Sequence, residues 1–191
     1  MIFKEVLNLV YQKLLNEQES SNDLGGFWFL GPNPAVDMVV VKIDSYDLSP
    51  KVLLITRKPG TIEGGKLALP GGFINTSSVK GEPFKFGKEK PVDAAIRELE
   101  EETGLDTQSI KSLIKKVGEY NDRGRDPRNN KNAWAVSYAF AIKLPADYDD
   151  SVQGRDDASD ADWYDVNTIS PSMLAFDHGI ILKDGLNKLK I

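Results

Sequence analysis

The segment Arg97-Glu98-Leu99-Glu100-Glu101-Glu102 carries most of the chemistry that the sequence advertises. At about 100° per residue, Glu98, Glu101 and Glu102 stand at i, i+3 and i+4 and share one helical face, with Glu100 turned away. Three carboxylates on one face repel one another, so the arrangement calls for a cation. Hard oxygen donors of this kind suit Mg²⁺ or Mn²⁺. A solvated acidic face is the commoner meaning of a Glu-rich helix, and the pattern alone leaves both readings open. Arg97 precedes Glu101 by four residues and can pair with it.

A helix over residues 91–103 must present this face. Val92, Ile96 and Leu99 mark its apolar side, Pro91 suits its first turn, and Gly104 suits a left-handed C-cap. Around it, β-branched runs predict strands at 36–43 and 52–56, a short apolar piece at 67–69, and further strands at 117–120, 133–142 and 163–166. Ile180, Ile181, Leu182, Leu186 and Leu189 predict a closing helix with Asp177 as its N-cap. Strands and helices alternate irregularly, which fits a mixed-sheet α/β (α+β) sandwich better than a doubly wound parallel fold. Phe3, Val6, Leu7, Val10 and Leu14 recur at helical spacing, so residues 1–26 read as an amphipathic helix and a linker ending in Gly25-Gly26, and residues 27–191 as the domain. The apolar stripe of that first helix would pack across a subunit boundary in a homodimer or cover its own sheet.

Composition narrows the chemistry. The 191-residue chain has 24 Lys+Arg against 29 Asp+Glu, a formal charge of −5, no Cys and one His, His178. Disulfides, thiolate metal sites and Cys nucleophiles are excluded, and paired-His metal motifs with them. The acidic excess argues against a general nucleic-acid surface. With neither a basic leader and cleavage site nor a membrane-length apolar run, a cytoplasmic protein with no membrane partner is expected.

The carboxylate segment resembles the Nudix box, G-x5-E-x7-R-E-U-x-E-E-x-G-U with U a bulky aliphatic residue. Arg97, Glu98, Leu99, Glu101, Glu102, Gly104 and Leu105 fill its second half, and Glu89 stands seven residues ahead of Arg97. Such a match arises by chance on the order of once in a million chains. One departure stands out: 16 residues separate Gly72 from Glu89 where the pattern has 5, so residues 75–87 hold an 11-residue excess. A surface extension of this kind costs little, and the helix is expected to be undisturbed.

The resemblance implies an α/β/α sandwich and hydrolysis of a nucleoside diphosphate linked to another group. By the same resemblance Glu98, Glu101 and Glu102 would hold Mg²⁺ or Mn²⁺ together with the Gly71 carbonyl, Arg97 would orient the carboxylates, and Glu89 would assist as ligand or support. The general base varies in this family. Asp156-Asp157, in a loop before a strand, is where ADP-ribose-hydrolysing relatives often place it; an Asx-rich turn is the alternative, and Glu119 a further acidic candidate.

Three further stretches resemble ADP-ribose pyrophosphatases: Leu30 to Asp37, Asp126-Pro127-Arg128-Asn129 with Asn132-Ala133-Trp134, and Leu174-Ala175-Phe176-Asp177-His178. The implied reaction is ADP-ribose plus water giving AMP and ribose 5-phosphate. Arg57, Arg123, Arg125 and Arg128 are the candidate phosphate grips, with Arg125 and Arg128 preferred, and Phe73 or Trp134 the candidate stacking partner for adenine. His178 is expected to make a local structural bond. The alternatives are another nucleoside diphosphate derivative (a sugar nucleotide, NADH or an oxidised nucleotide) or a non-catalytic ADP-ribose-sensing domain. The NADH reading lacks its Ser-Gln-Pro-Trp-type motif. Sensors of that kind append a winged-helix module and tend to lose metal carboxylates; the chain stops at Ile191 and keeps all three, so turnover is expected.

Overall fold

The computed structural model describes residues 23–44, 46, 48–156 and 158–191. The expected helix over residues 1–15 and most of its linker lie outside the described residues.

Among the described residues, seven strands form one mixed sheet: β1 (Gly31–Ile43), β2 (Pro50–Arg57), β3 (Leu67–Ala68), β4 (Gly71–Phe73), β5 (Lys115–Tyr120), β6 (Ala133–Lys143) and β7 (Ala158–Asp165). Helix α1 (Pro91–Thr103) covers one face and α2 (His178–Leu189) the other. The expected α/β/α sandwich is therefore the observed architecture. No helix among the described residues is long and apolar enough to cross a membrane.

Strand β1 organises the sheet. Its side chains alternate between the two cores: Val36, Met38 and Val40 meet Ala94, Ala95 and Leu99 of α1, while Val39 and Val41 meet Ile181 and Leu182 of α2. Along one edge it pairs in parallel with β6, from Gly31↔Ala133 to Val41↔Lys143. Its other edge is shared. Ala35 to Asp37 pair with β4, and Val41 to Ile43 pair with β2, both antiparallel. The two neighbours thus diverge from β1, and residues 67–70 fill the gap, β3 pairing with β2 and the Pro70 carbonyl accepting from Met38 N–H at 2.9 Å.

Strand β1 begins five residues before the expected 36–43, despite Pro32 and Pro34. The Pro34 carbonyl accepts from Ile74 on the β4 side, and Gly31 N–H donates to Asn132 on the β6 side, so the prolines' missing donors fall on the edge away from β6. Strand β7 likewise starts at Ala158 where 163–166 was expected, and Val166 lies in a 3₁₀ turn. Ser159, Asp160 and Asp162 hide it from a polarity scan, yet full antiparallel pairing with β2 and the buried Ala158 and Ala161 hold it in the sheet.

Helix α1 has the expected ends. Pro91 opens it, and Gly104, at φ 70°, closes it with its N–H on the Glu100 carbonyl at 2.9 Å. Helix α2 differs from expectation in its cap: Asp177 occupies the N-cap position but makes no side-chain cap bond, because its carboxylate is taken by Arg125.

Leu99 is fully buried where α1 meets the sheet. Leu99→Ala should lower unfolding stability by about 2–5 kcal/mol, read from the denaturant midpoint, since the cavity lies in the middle of a packed layer.

Candidate active site

Glu98, Glu101 and Glu102 project from α1 into a cleft of about 450 Å³ that also takes in Gly71 and Gly72 of β4. Arg97 ties this wall together. Its Nη1 donates to Glu98 Oε1 at 2.8 Å and to Glu101 Oε2 at 2.9 Å, its Nε donates to Glu89 Oε1 at 2.8 Å, and its Nη2 reaches the Phe73 carbonyl at 3.1 Å. The Glu89 carboxylate foremost, then Glu98 and Glu101, raise the Arg97 guanidinium above its ordinary range, against the effect of burial. Glu102, almost fully buried, accepts instead from Gly71 N–H at 2.8 Å. Helix and strand are thereby joined at the acidic patch itself.

Two glycines allow the approach. A Cβ on Gly72 would lie 2.5 Å from the Glu98 carboxyl, and one on Gly71 would collide with the Val36 carbonyl. Burial against this strand pushes the Glu98 carboxyl above the usual carboxylate range, with Arg97 pulling the other way. Among the described residues no three metal-ligating side chains are gathered into a closed ligand set. The three carboxylates are instead distributed over Arg97 and the Gly71 amide. As a donor set they still fit a hard divalent cation: carboxylate oxygens from one helical face beside an extended glycine backbone.

Cations and aromatic rings line the same cleft. Arg57 donates from Nε to the Ile62 carbonyl at 2.9 Å and lies 4.8 Å from the Phe176 ring centre. Arg128 is paired with Asp126, at 2.6 Å from Nη2, and sits 4.7 Å from Phe27 and 5.9 Å from both Phe73 and Phe176. Phe73 itself is 42% exposed in the cleft.

The structure brings Arg57, Gly71, Phe73, Arg97, Glu98, Glu101, Glu102, Arg125 and Arg128 to one cleft. Glu89 stands behind them. It is absent from the lining and bridges Arg97 to the Asn75 N–H at 2.6 Å, tying the base of the 75–87 extension to the site. Arg125 is buried, and its Nε and Nη2 donate to the two oxygens of Asp177 at 2.9 and 2.7 Å. Asp156 lines the cleft, whereas Asp157 lies outside the described residues. Glu119 and Trp134 are elsewhere, in a second groove where Arg123 stacks 3.3 Å from the Trp134 ring.

Sequence reasoning missed the support beneath the cleft. Asp37, buried on β1, accepts from Ser137 Oγ and lies 3.3 Å from His178 Nε2 and 3.6 Å from Arg125. Leu69 N–H donates to His178 Nδ1 at 2.9 Å, which places the ring proton on Nε2, facing Asp37. Burial lowers the pKa of His178, so the ring is neutral. The one available signal was an Asp in the middle of an apolar strand.

A family model described as NUDIX domain matches residues 32–184. The chain belongs to the NUDIX domain family. Among solved structures, a MutT/nudix family protein from Enterococcus faecalis matches with TM-score 0.66 at 26% identity, covering 83% of this chain and 62% of that one. The NUDIX domain of Shewanella oneidensis NrtR, complexed with ADP ribose, matches with TM-score 0.65 at 24% identity over 83% and 88%. A bifunctional NMN adenylyltransferase/ADP ribose pyrophosphatase from Francisella tularensis, complexed with AMP and a Mn ion, matches with TM-score 0.63 at 22% identity over 94% and 49%. This chain thus spans 62% of the Enterococcus protein and about half of the Francisella one. A comparison with curated proteins gives no match.

The extension that interrupts this NUDIX chain's box leaves α1 continuous from Pro91 to Thr103. It folds back on the segment just before β1, with Leu30 N–H on the Glu82 carbonyl at 3.1 Å and Phe84 edge-on to Phe29 at 5.4 Å.

Hydrogen bonding to Arg97 depresses the Glu89 carboxyl. A depressed carboxylate stabilises the fold above its unfolded pKa, and the contribution fades as pH falls through the folded value. In EDTA, the stability gap between wild type and Glu89→Gln should be constant above about pH 5 and close progressively in more acid solution, as followed by urea unfolding at several pH values.

Proposed function

We propose that this chain hydrolyses the diphosphate bond of ADP-ribose to AMP and ribose 5-phosphate with Mg²⁺ or Mn²⁺ as cofactor. The observation that carries this reading is the gathering of two opposite charges in one cleft, Glu98, Glu101 and Glu102 with Arg57 and Arg128. A diphosphate suits that division. Its anionic oxygens match the guanidiniums directly, but match the carboxylates only through a metal.

Glu98, Glu101, Glu102 and the Gly71 carbonyl would hold the divalent cation. Bound there, it neutralises the diphosphate and lowers the pKa of the attacking water. Arg97 fixes the Glu98 and Glu101 carboxylates, and Glu89 in turn fixes Arg97. Arg57 and Arg128 bind phosphate oxygens, while Phe73 offers its exposed ring to the base. Arg125 supports this lining from within through Asp177. The proton of the attacking water is assigned to the loop of Asp156 and Asp157. Overall, the water oxygen bonds to one phosphorus as the bridging P–O bond breaks, and the proton goes to solvent by way of that loop.

The ADP ribose seen in the Shewanella structure and the activity named for the Francisella protein support this choice of substrate. Under Mg²⁺, a panel of ADP-ribose, NADH, nucleotide sugars and oxidised nucleotides, read as phosphate released by added phosphatase, should show ADP-ribose with the highest kcat/KM. A nucleotide-sugar optimum would reassign the substrate, and binding of ADP-ribose with no turnover would make the domain a sensor. Glu101→Gln or Glu102→Gln should lower kcat by about a hundredfold or more with the fold retained by circular dichroism. Turnover near that of wild type would remove the metal assignment.

A further inference from the structure

We propose that Phe176 is a positioning residue for the diphosphate: its ring holds Arg57 and Arg128 together over the cleft, so that the two guanidiniums meet the phosphate oxygens as a pair. The inference rests on the reading of the cleft as a diphosphate site. It gives a role to one residue of the Leu174-Ala175-Phe176-Asp177-His178 stretch.

Two like charges lie close to a single ring, with Arg57 Cζ at 4.8 Å and Arg128 Cζ at 5.9 Å from its centre. Burial, and next the charge of Arg128, lower the pKa of Arg57, and the charges of Glu102, Asp126 and Glu63 oppose them. The negative face of an aromatic ring offsets part of that repulsion. An anion seated between the guanidiniums would relieve the rest.

The placement of the ring is over-determined. Phe176 adopts a left-handed backbone, φ 53°, which a residue with a Cβ rarely takes. Its N–H donates to Glu63 Oε2 at 2.6 Å, and Glu63 is itself held by Lys66 at 2.9 Å. The preceding Ala175 N–H is fixed on the Leu67 carbonyl at 2.8 Å. The same Glu63 loop supplies the Ile62 carbonyl that accepts from Arg57 Nε. A single loop therefore fixes both the ring and the first arginine, and the ring is left half-buried facing the cleft.

Phe176→Leu keeps an apolar side chain without a π face, and Phe176→Tyr keeps the ring. With ADP-ribose and Mg²⁺, Phe176→Leu should raise KM about tenfold with kcat within about threefold of wild type, whereas Phe176→Tyr should keep both close to wild type. A second readout needs no turnover: thermal stabilisation by ADP in EDTA should be lost in Phe176→Leu and kept in Phe176→Tyr. Should Phe176→Leu not fold, Phe176→Met carries the same comparison. A wild-type KM and wild-type stabilisation by ADP in the folded aliphatic variant would overturn the proposal, as would equal losses in Leu and Tyr variants. If wild type fails to hydrolyse ADP-ribose but the ADP pattern holds, the catalytic reading falls and the positioning role stands. If ADP stabilises no variant and nothing is hydrolysed, both fall.

Discussion

The acidic lining of the candidate active site depends on the saturation of Arg97. One guanidinium engages Glu89, Glu98 and Glu101 together with the Phe73 carbonyl, so helix α1, strand β4 and the foot of the 75–87 extension are all referred to a single cation. Without it the carboxylates on α1 would face one another with nothing between, and the helical face that suits a metal would be the least stable part of the helix. The fork geometry matters here, because an ammonium could not meet so many acceptors in one plane. Glu102 lies outside this web and is seated by the Gly71 amide instead, which makes the glycine strand the second reference point.

Beneath the cationic lining the same economy recurs with a different set of residues. Asp37, Ser137, Arg125, Asp177 and His178 form a buried polar cluster where β1, β6 and the start of α2 converge. Charges buried this deeply are tolerated only when paired on most sides, and removing one partner from such a set costs about 3–5 kcal/mol. The Leu69-Pro70-Gly71 backbone is fixed at successive points, once from this cluster and twice from outside it: His178 holds the Leu69 N–H, Met38 N–H holds the Pro70 carbonyl, and Glu102 holds the Gly71 N–H. The cluster and the acidic lining thus converge on three residues of backbone.

How much of this was legible in the sequence follows from the range of the interactions concerned. Helix α1 was readable because its determinants are local: Pro91, the i, i+3, i+4 carboxylates, and Gly104 all lie within one element. Gly71 and Gly72 were readable as a motif, but the reason for them, the approach of Glu98 and of the Val36 carbonyl, is tertiary. Strand β7 was half-missed, since its polar Ser159, Asp160 and Asp162 are explained only by pairing with β2. Asp177 shows the failure most clearly. Its position at a helix start predicts a cap, yet Arg125, distant in sequence, offers a bidentate partner, and a charged fork outcompetes two backbone amides.

That competition also explains why the arginines could not be ranked from sequence. Arg125 and Arg128 flank the same Asp-Pro pair and look equivalent, but the chain turns between them. Arg125 is carried inward to Asp177, while Arg128 stays at the cleft among Phe27, Phe73 and Phe176. Arg57 comes from the end of β2, far from Arg128 in the chain, and is brought to the same aromatic ring. The residues proposed to meet an anionic ligand are therefore contributed from distant parts of the chain, whereas the face proposed to hold the metal comes from one helical turn. A cation needs closely spaced carboxylates, which a helix supplies at fixed intervals. An extended diphosphate needs donors spread along its length, which only the tertiary fold can supply.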